Sequence, residues 1–446
     1  MSEDIIVYIS AGGQSTRLYP LTLDLTKAWL DIGNKTPLLL ALRQIADKIP
    51  NLDIFILLQG FLNNTFIPIE LRDGSTIGNG ARVNYVHFYD PRKPYEERIR
   101  DGGSGEGFIN FLETSEKIIG NRLILVMNVD NLANFNPIDM ANFHSRVHKG
   151  PGVTIGVTYW GDRPNISQFG AVKFGEDGRV IEFREKSPEP ASPYINTGIV
   201  MFSPGVVENL RGKSLELKDL GGQVLPWLIR QGVSVYAYGQ KGEINDWVDF
   251  GTIRAYLQTN GNVLLGRYPW FDYEGYEELE DGKLIHKNSI EKVMDAMKNG
   301  LLVLEGDVLI GSNLALYGND RIVIRDAVIG HNVKLGDGSK ILGCSEQDNL
   351  YPAVLLDASN VFNTVVESAI VGYSSSVVGN GRTSTLGPYS VVGNDVTLSG
   401  VNLGQGVRVA PIQHAQQILE TGRYDLYYSD GKIVYFTERK KSNSNN

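Results

Sequence analysis

Cysteine is nearly missing from this chain. Cys344 stands alone among 446 residues, which excludes a disulfide framework and a thiolate zinc cluster and leads us to expect a reducing, cytoplasmic setting. Histidine is sparse as well. His87, His144, His148, His286, His331 and His414 form no metal-ligand spacing, and none adjoins a Ser or Cys nucleophile motif. No apolar run approaches ~18 residues, so no membrane-spanning helix is expected. The stretch from Met1 into residues 5–9 lacks the charged and apolar regions of an export signal. Basic charge is in deficit: 42 Lys+Arg against 51 Asp+Glu give a formal net of -9. That balance argues against broad nucleic-acid binding, which needs a basic face. It leaves room for a few basic residues around one small phosphate ligand.

Glycine is what the chain has in excess: 50 of 446 residues, about 11% against a usual ~7%. The length predicts two or three domains of ~150 residues each, large enough to bury a core without staples. Apolar runs at 5–9, 54–58, 83–88 and 123–127 read as buried parallel strands. Helical patterns at 37–47 and 108–119 lie between them. In the first, Leu38, Leu42 and Ile45 share a face, and Pro37 suits the helix start. The alternation predicts an α/β domain over 1–260, a Rossmann-like, mostly parallel sheet with flanking helices. Ligands of such sheets bind beyond the carboxyl ends of the strands.

Residues 261–300 show no strand alternation, are acidic at 274–281 and carry a short helical pattern at 289–297; they read as a connector. From 301 onward apolar pairs followed by glycine recur, as in Leu309-Ile310-Gly311, Val328-Ile329-Gly330, Ile370-Val371-Gly372, Val377-Val378-Gly379 and Val391-Val392-Gly393. Gly330 to Gly336 and Gly387 to Gly393 are six-residue steps. This predicts a left-handed parallel β-helix over 301–415, with a glycine-rich β-sandwich as the rival. The period breaks at 343–350 and 380–385, where protruding loops are expected. Residues 416–446 form a C-terminal extension ending in a polar, low-complexity tail, 440–446, expected to be disordered. The flat faces of a β-helix suit self-association, so a homo-oligomer, dimer or tetramer, is expected.

The densest chemistry follows the first strand: Ala11-Gly12-Gly13-Gln14-Ser15-Thr16-Arg17-Leu18-Tyr19-Pro20-Leu21-Thr22, with Lys27 ten residues after Arg17. Adjacent glycines let backbone N–H groups approach phosphate oxygens without a Cβ in the way. Arg17 can grip those oxygens through several donors, and Lys27 adds a point charge. The bland alternative is an ordinary strand-to-helix turn with a surface arginine. Further on, Asp130 and Asp249 end separate apolar segments. Two carboxylates with phosphate oxygens and water suit Mg²⁺, although a carboxylate so placed can equally cap a helix.

Together these stretches resemble the sugar-1-phosphate nucleotidyltransferases, whose opening motif reads GGxGTRLxPLTxxxPK. The resemblance spans roughly 5–260. It continues through Gly103-Ser104-Gly105-Glu106-Gly107-Phe108, then Asn128-Val129-Asp130-Asn131-Leu132. Phe169-Gly170-Ala171-Val172 follows, leading by way of Phe183-Arg184-Glu185-Lys186 to Ile195-Asn196-Thr197-Gly198-Ile199. The last motif is Asp246-Trp247-Val248-Asp249-Phe250-Gly251-Thr252. Departures from the family pattern are Ser15 for the third glycine, Thr26 where proline usually precedes the lysine, and Val129 for a glycine.

The resemblance implies transfer of a nucleotidyl group from an NTP to a sugar 1-phosphate, giving an NDP-sugar and pyrophosphate, with Mg²⁺ as cofactor. Arg17, Lys27 and Asp130 would be catalytic, and Asp130 with Asp249 would hold the metal. Ala11, Gly12, Gly13, Ser15, Thr16, Gly103, Ser104 and Gly105 would bind the nucleotide. Gly170, Glu185, Lys186, Asn196 and Gly198 would bind the sugar phosphate. The last motif looks most like the ADP-glucose type, so ATP with glucose 1-phosphate is the first expectation, ahead of dTTP, UTP or GTP. A non-catalytic sugar-nucleotide-binding or assembly subunit is the alternative, motivated by Ser15 and Val129. Acyl transfer on the C-terminal coil would need a base, for which only His331 is available in the repeats. Trp160 and Tyr194 are placed to stack on a sugar ring or to pack in the core.

Overall fold

Seven consecutive buried residues, Ile5–Ala11, make a strand that must be covered on both faces, and the first part of the fold is built around it. The computed structural model describes residues 5–11, 15–59, 61–87, 102–128, 132–161, 166–379, 384–429 and 431–439. The chain forms two compact units, one from 1–13 with 37–249 and the other from 14–36 with 250–446.

The first unit runs β1 (Ile5–Ala11), α1 (Pro37–Ala46), β2 (Asp53–Leu58), α2 (Phe61–Leu71), β3 (Arg82–His87), α3 (Ser104–Thr114), α4 (Glu116–Ile119) and β4 (Leu123–Asn128). It continues with β5 (Leu132–Asn134), α5 (Pro137–Val147), β6 (Gly152–Tyr159), β7 (Gly170–Phe174), β8 (Val180–Glu185), β9 (Tyr194–Phe202), α6 (Val207–Leu210), α7 (Leu225–Arg230), β10 (Ser234–Tyr238) and β11 (Asn245–Val248). Among the described residues the main sheet has the order β10-β6-β9-β4-β1-β2-β3, with β7 and β8 attached beside β9. Strands β3, β2, β1 and β4 are parallel, as are β10 and β6, whereas β9 runs antiparallel between β4 and β6. The chain steps outward from β1 to β2 to β3, then returns to add β4 on the other side of β1. That reversal makes the carboxyl ends of β1 and β4 the topological switch point of the sheet.

Aromatic packing fixes the face beneath this point. Tyr8 on β1 meets Phe108 and Phe111 of α3, with ring centroids 5.3 and 4.7 Å apart, and Phe108 meets Phe202 of β9 at 4.6 Å. Two expectations are corrected. The run at 83–88 is an edge strand with Arg82, Asn84 and His87 exposed, not a buried one. The helix expected over 108–119 begins at Ser104 and is interrupted at Ser115, giving α3 and α4.

In the second unit, interior side chains stack coil upon coil in three parallel ladders. The first is Ile310, Ile329, Leu355, Val371, Val392 and Val409. The second is Leu316, Leu335, Val361, Val377 and Leu398. The third is Leu304, Ile324, Ile341, Val366, Leu386 and Leu403. Nearly all of these side chains are fully buried in one core, each contributing about 1.5–3 kcal/mol. This is a parallel β-helix with three faces, and the β-sandwich alternative is discarded.

The first break in the hexapeptide period is an antiparallel hairpin, Cys344–Glu346 with Asn349–Tyr351. The second lies largely in 380–383, outside the described residues. The stretch read as a connector without strands contains a hairpin, Tyr276–Glu280 with Lys283–His286, whose second strand joins the first coil. Its outward-facing glutamates carry no apolar alternation, which is why the pattern was invisible. After the last coil the chain forms the short helix Ala415–Glu420 and an antiparallel pair, Tyr424–Ser429 and Ile433–Glu438, that caps the coil end. The tail 440–446 lies outside the described residues.

Candidate active site

Ala11 ends β1, and its carbonyl accepts from the Gln59 N–H (2.9 Å) at the end of β2. On the other side Ser10 is in register with Asn128, the last residue of β4. The glycine-rich motif and the Asn128-Val129-Asp130 motif therefore leave the sheet side by side, at the switch point. Gly12, Gly13 and Asp130 themselves lie outside the described residues. In the small ribbon of β5 and β11, Val248 is antiparallel to Leu132. Asp249, which follows Val248, thus leaves the ribbon at the end where the chain enters it after Asp130. Among the described residues no three His, Cys, Asp or Glu side chains gather as a metal cage.

A second group forms where β7, β8 and the chain after Lys218 meet. Gly170 pairs with Glu185 across the two strands. A Cβ at Gly170 would lie 2.6 Å from both the Glu185 Oε2 and the Phe183 ring, so glycine is needed for the close approach. Lys186 adopts a left-handed backbone, φ 46°, unusual for a side-chain-bearing residue and of a kind often found at functional sites. It is held there by its N–H donating to the Phe169 carbonyl (3.1 Å). Its ammonium lies 3.3 Å from Glu185 Oε1. Burial pushes the Glu185 carboxyl above its ordinary range; Lys186 opposes that rise and Asp219 adds to it.

Asp219 went unnoticed in the sequence, although the Gly221-Gly222 doublet beside it was a signal. Its carboxylate accepts from the Gly222 N–H, and Ser104 donates to the same carboxylate (3.5 Å) while accepting from the Leu220 N–H (3.0 Å). Gly103 and Gly105 lie against this segment. A Cβ at Gly103 would collide with the Lys218 carbonyl oxygen, and one at Gly105 would lie 2.6 Å from that of Leu217. The 103–105 stretch is thereby joined to the Glu185 neighbourhood through Ser104 and Asp219. Asn196 uses its Oδ1 to accept from the Gly198 N–H (3.0 Å), where glycine has φ 78°. Beside it, Trp247 donates its Nε1–H to the Thr197 carbonyl (2.9 Å). Trp160, Phe169 and Trp247 cluster with centroids 4.9–5.9 Å apart. Tyr194 packs edge-on against Phe174 and Tyr159.

The remaining motif residues belong to the second unit. Ser15 has φ 47°, the conformation that glycine adopts without strain, and its carbonyl accepts from Leu18 N–H and Thr22 Oγ1. Thr16–Leu18 is a single 3₁₀ turn carrying Arg17. Thr26, standing in place of the proline, accepts from the Ala28 N–H (3.3 Å) and so caps the turn Lys27–Trp29. Lys27 is only 8% exposed, with its ammonium 4.5 Å above the Phe250 ring. His331 is committed structurally: its Nδ1 accepts from the Ser312 N–H (2.8 Å).

The chain is 25% identical over 392 residues to a glucose-1-phosphate adenylyltransferase of Desulfitobacterium hafniense, covering 84% of this chain and 88% of the relative. It is 25% identical over 355 residues to one of Acetivibrio thermocellus, covering 75% and 80%. The sequence profile of the nucleotidyl transferase family matches residues 7–265, more than half of the chain. With the family profile covering more than half of its length, this chain belongs to the nucleotidyl transferase family.

Proposed function

We propose that this protein transfers an adenylyl group from ATP to glucose 1-phosphate, releasing pyrophosphate and ADP-glucose. The observation that carries the reading is the side-by-side exit of the Ala11 and Asn128 motifs at the switch point, together with relatives named glucose-1-phosphate adenylyltransferase. A sugar-phosphate oxygen attacks the α-phosphorus in line with the departing pyrophosphate, so no protein nucleophile is required. The protein's task is positioning and charge neutralisation.

Arg17 and Lys27 act on the triphosphate, while Gly12, Gly13 and Thr16 offer backbone N–H groups to it. Gly103, Ser104 and Gly105 border the nucleotide. Glu185 accepts from sugar hydroxyls, Lys186 neutralises the sugar phosphate, and Asn196 presents its remaining amide N–H groups. Asp130 and Asp249 are the carboxylates that would hold Mg²⁺, and the β5–β11 register suits that pairing. Bound there, the ion neutralises triphosphate charge. The hexapeptide pattern favours a left-handed coil, and the coil's flat faces favour a homo-oligomer.

Pyrophosphate release is the test, with ATP, GTP, UTP, CTP and dTTP each paired with glucose, mannose and N-acetylglucosamine 1-phosphates in the presence of Mg²⁺. The expected result is one dominant pair, ATP with glucose 1-phosphate, lost in Asp130→Ala. A blank matrix from folded protein that still shows nucleotide-dependent thermal shifts would replace catalysis with binding.

A further inference from the structure

The turn that carries Arg17 has its carbonyls held by the far end of the chain. Arg408, in the last strand of the coil, is only 6% exposed. The two N–H bonds of its Nη1 are shared among the carbonyls of Arg17 (3.1 Å) and Tyr19 (2.7 Å) and the Tyr424 hydroxyl (2.7 Å). Tyr424, fully buried on the capping strand pair, donates its own O–H to the Thr16 carbonyl (2.5 Å). The Arg408 guanidinium sits 5.0 Å over the Tyr424 ring, and Tyr19 stacks on the same ring at 6.4 Å. Glu438 lies 3.5 Å from Arg408 Nη2. Farther along the segment, Asn394 donates to the Leu21 carbonyl (3.0 Å) and Gln417 to the Tyr19 hydroxyl (3.1 Å).

The Thr16–Arg17 and Arg17–Leu18 peptide units are planar and trans, so pinning the C=O of each also fixes the opposite direction of its N–H. Holding the Thr16 carbonyl sets the Arg17 N–H, and holding the Arg17 carbonyl sets the Leu18 N–H. A guanidinium buried at this depth needs acceptors, and here two of them are main-chain oxygens of the motif itself. Charge-assisted bonds of this kind are roughly twice as strong as neutral ones. Arg408 and Tyr424 share no sequence neighbourhood with residues 11–27, so nothing in the motif announces them.

We infer that Arg408 and Tyr424 are positioning residues for the phosphate-binding turn, setting its peptide orientation and with it the affinity for the NTP. This rests on the reading that residues 11–27 handle the triphosphate. The consequence is specific: losing either residue weakens NTP binding and leaves sugar-phosphate binding nearly as it was.

The test uses the full-length protein with Arg408→Gln, Arg408→Lys and Tyr424→Phe, and Arg439→Gln as the control. Arg439 directly follows the second capping strand and pairs at the surface with Asp425 (2.6 Å). Initial rates are read against ATP and against glucose 1-phosphate, and backbone hydrogen exchange is followed in peptides spanning 15–24. Arg408→Gln and Tyr424→Phe should raise KM for ATP about tenfold or more and KM for glucose 1-phosphate by less than about twofold. Arg408→Lys should fall between them and wild type. Exchange at Leu18, Tyr19, Leu21 and Leu23, whose N–H groups are bonded within the segment, should accelerate, with Arg439→Gln unchanged in both readouts.

Unchanged exchange and unchanged KM for ATP in folded variants would overturn the inference. So would a fall in kcat with both KM values moving together, which is what general loosening produces. Should Arg408→Gln fail to fold, Tyr424→Phe decides alone, since it deletes one oxygen and keeps the ring. If wild type turns over no substrate pair, the proposed activity fails on its own account. The exchange comparison then still decides whether the two residues hold the turn.

Discussion

Glu185 is disfavoured by its own location: burial and Asp219 both oppose its charge, and Lys186 offsets only part of that. A carboxyl whose folded pKa is raised destabilises the folded state above its unfolded pKa, and the penalty fades as pH falls through that range. Glu185→Gln should therefore stabilise the protein at pH 7 by about 0.5–1 kcal/mol, with the gain vanishing near pH 4, while pyrophosphate release drops. Urea unfolding at the two pH values, with the rate assay alongside, checks this; a destabilised variant at pH 7 would refute it.

The opposite sign governs His144 and His148. Burial drives them down to about 3 and about 4, with their mutual repulsion adding to the shift at His144. Thr154 Oγ1 lies between them, 2.9 Å from His144 Nδ1 and 3.2 Å from His148 Nε2. Both are neutral in the fold but take up protons when unfolded below about pH 6.5, so stability falls on acidification. Between pH 6 and 5 the pair should contribute a slope of about 2–3 kcal/mol per pH unit, and His148→Gln should remove close to half of it. An unchanged slope in that variant would show that the titration lies elsewhere. Glu185 was legible because it sits in a linear motif. Asp219, 34 residues later, and Thr154 between two histidines acquire meaning only when the fold gathers them.

Where an element repeats a short local rule, the sequence announced it. The six-residue spacing exposed the coil because each apolar pair points the same way in successive turns, and the break at 343–350 marked the hairpin correctly. What the hairpin does was not legible. Leu350 places its carbonyl against Gly261 in the helix Ile253–Leu264, Asn349 accepts from Gln258 (2.6 Å), and Arg254 bonds the Tyr351 hydroxyl (3.1 Å) and Glu346 (2.5 Å). Intrinsic propensity says that Gly261→Ala should favour this helix by about 1 kcal/mol. The packing says the reverse, since a Cβ there would collide with the Leu350 carbonyl and overpacking costs about 1–3 kcal/mol. We expect a net loss of stability, measured as a lower urea midpoint with unchanged m-value. A gain would mean that the hairpin yields without resistance.

At the scale of the whole chain, the second unit is assembled from two stretches far apart in sequence, 14–36 and 250–446. Tyr19 and Leu23 from the first stretch fill a core with Ala410, Ile418, Tyr424, Val434 and Phe436 from the second. Polar groups depend on the same union: Asn260 accepts from the Gly33 N–H (2.9 Å), Asn34 donates to the Ile329 carbonyl (2.8 Å), and Arg408 reaches the Arg17 and Tyr19 carbonyls. No periodicity could disclose this, because residues 19–27 read locally as part of the phosphate motif and Tyr19 and Leu23 have their partners between 410 and 436. A cut between 249 and 250 therefore divides a core rather than a linker. The fragment 250–446 alone would leave the Arg408 cation short of acceptors, a loss of the kind that costs about 3–5 kcal/mol, and would expose the apolar patch. It should bind a hydrophobic dye and melt about 10 °C or more below the same fragment carrying residues 14–36 joined by a flexible Gly/Ser linker. Equal melting temperatures would mean that the N-terminal stretch only rests on the coil, and the positioning role of Arg408 would lose its physical basis.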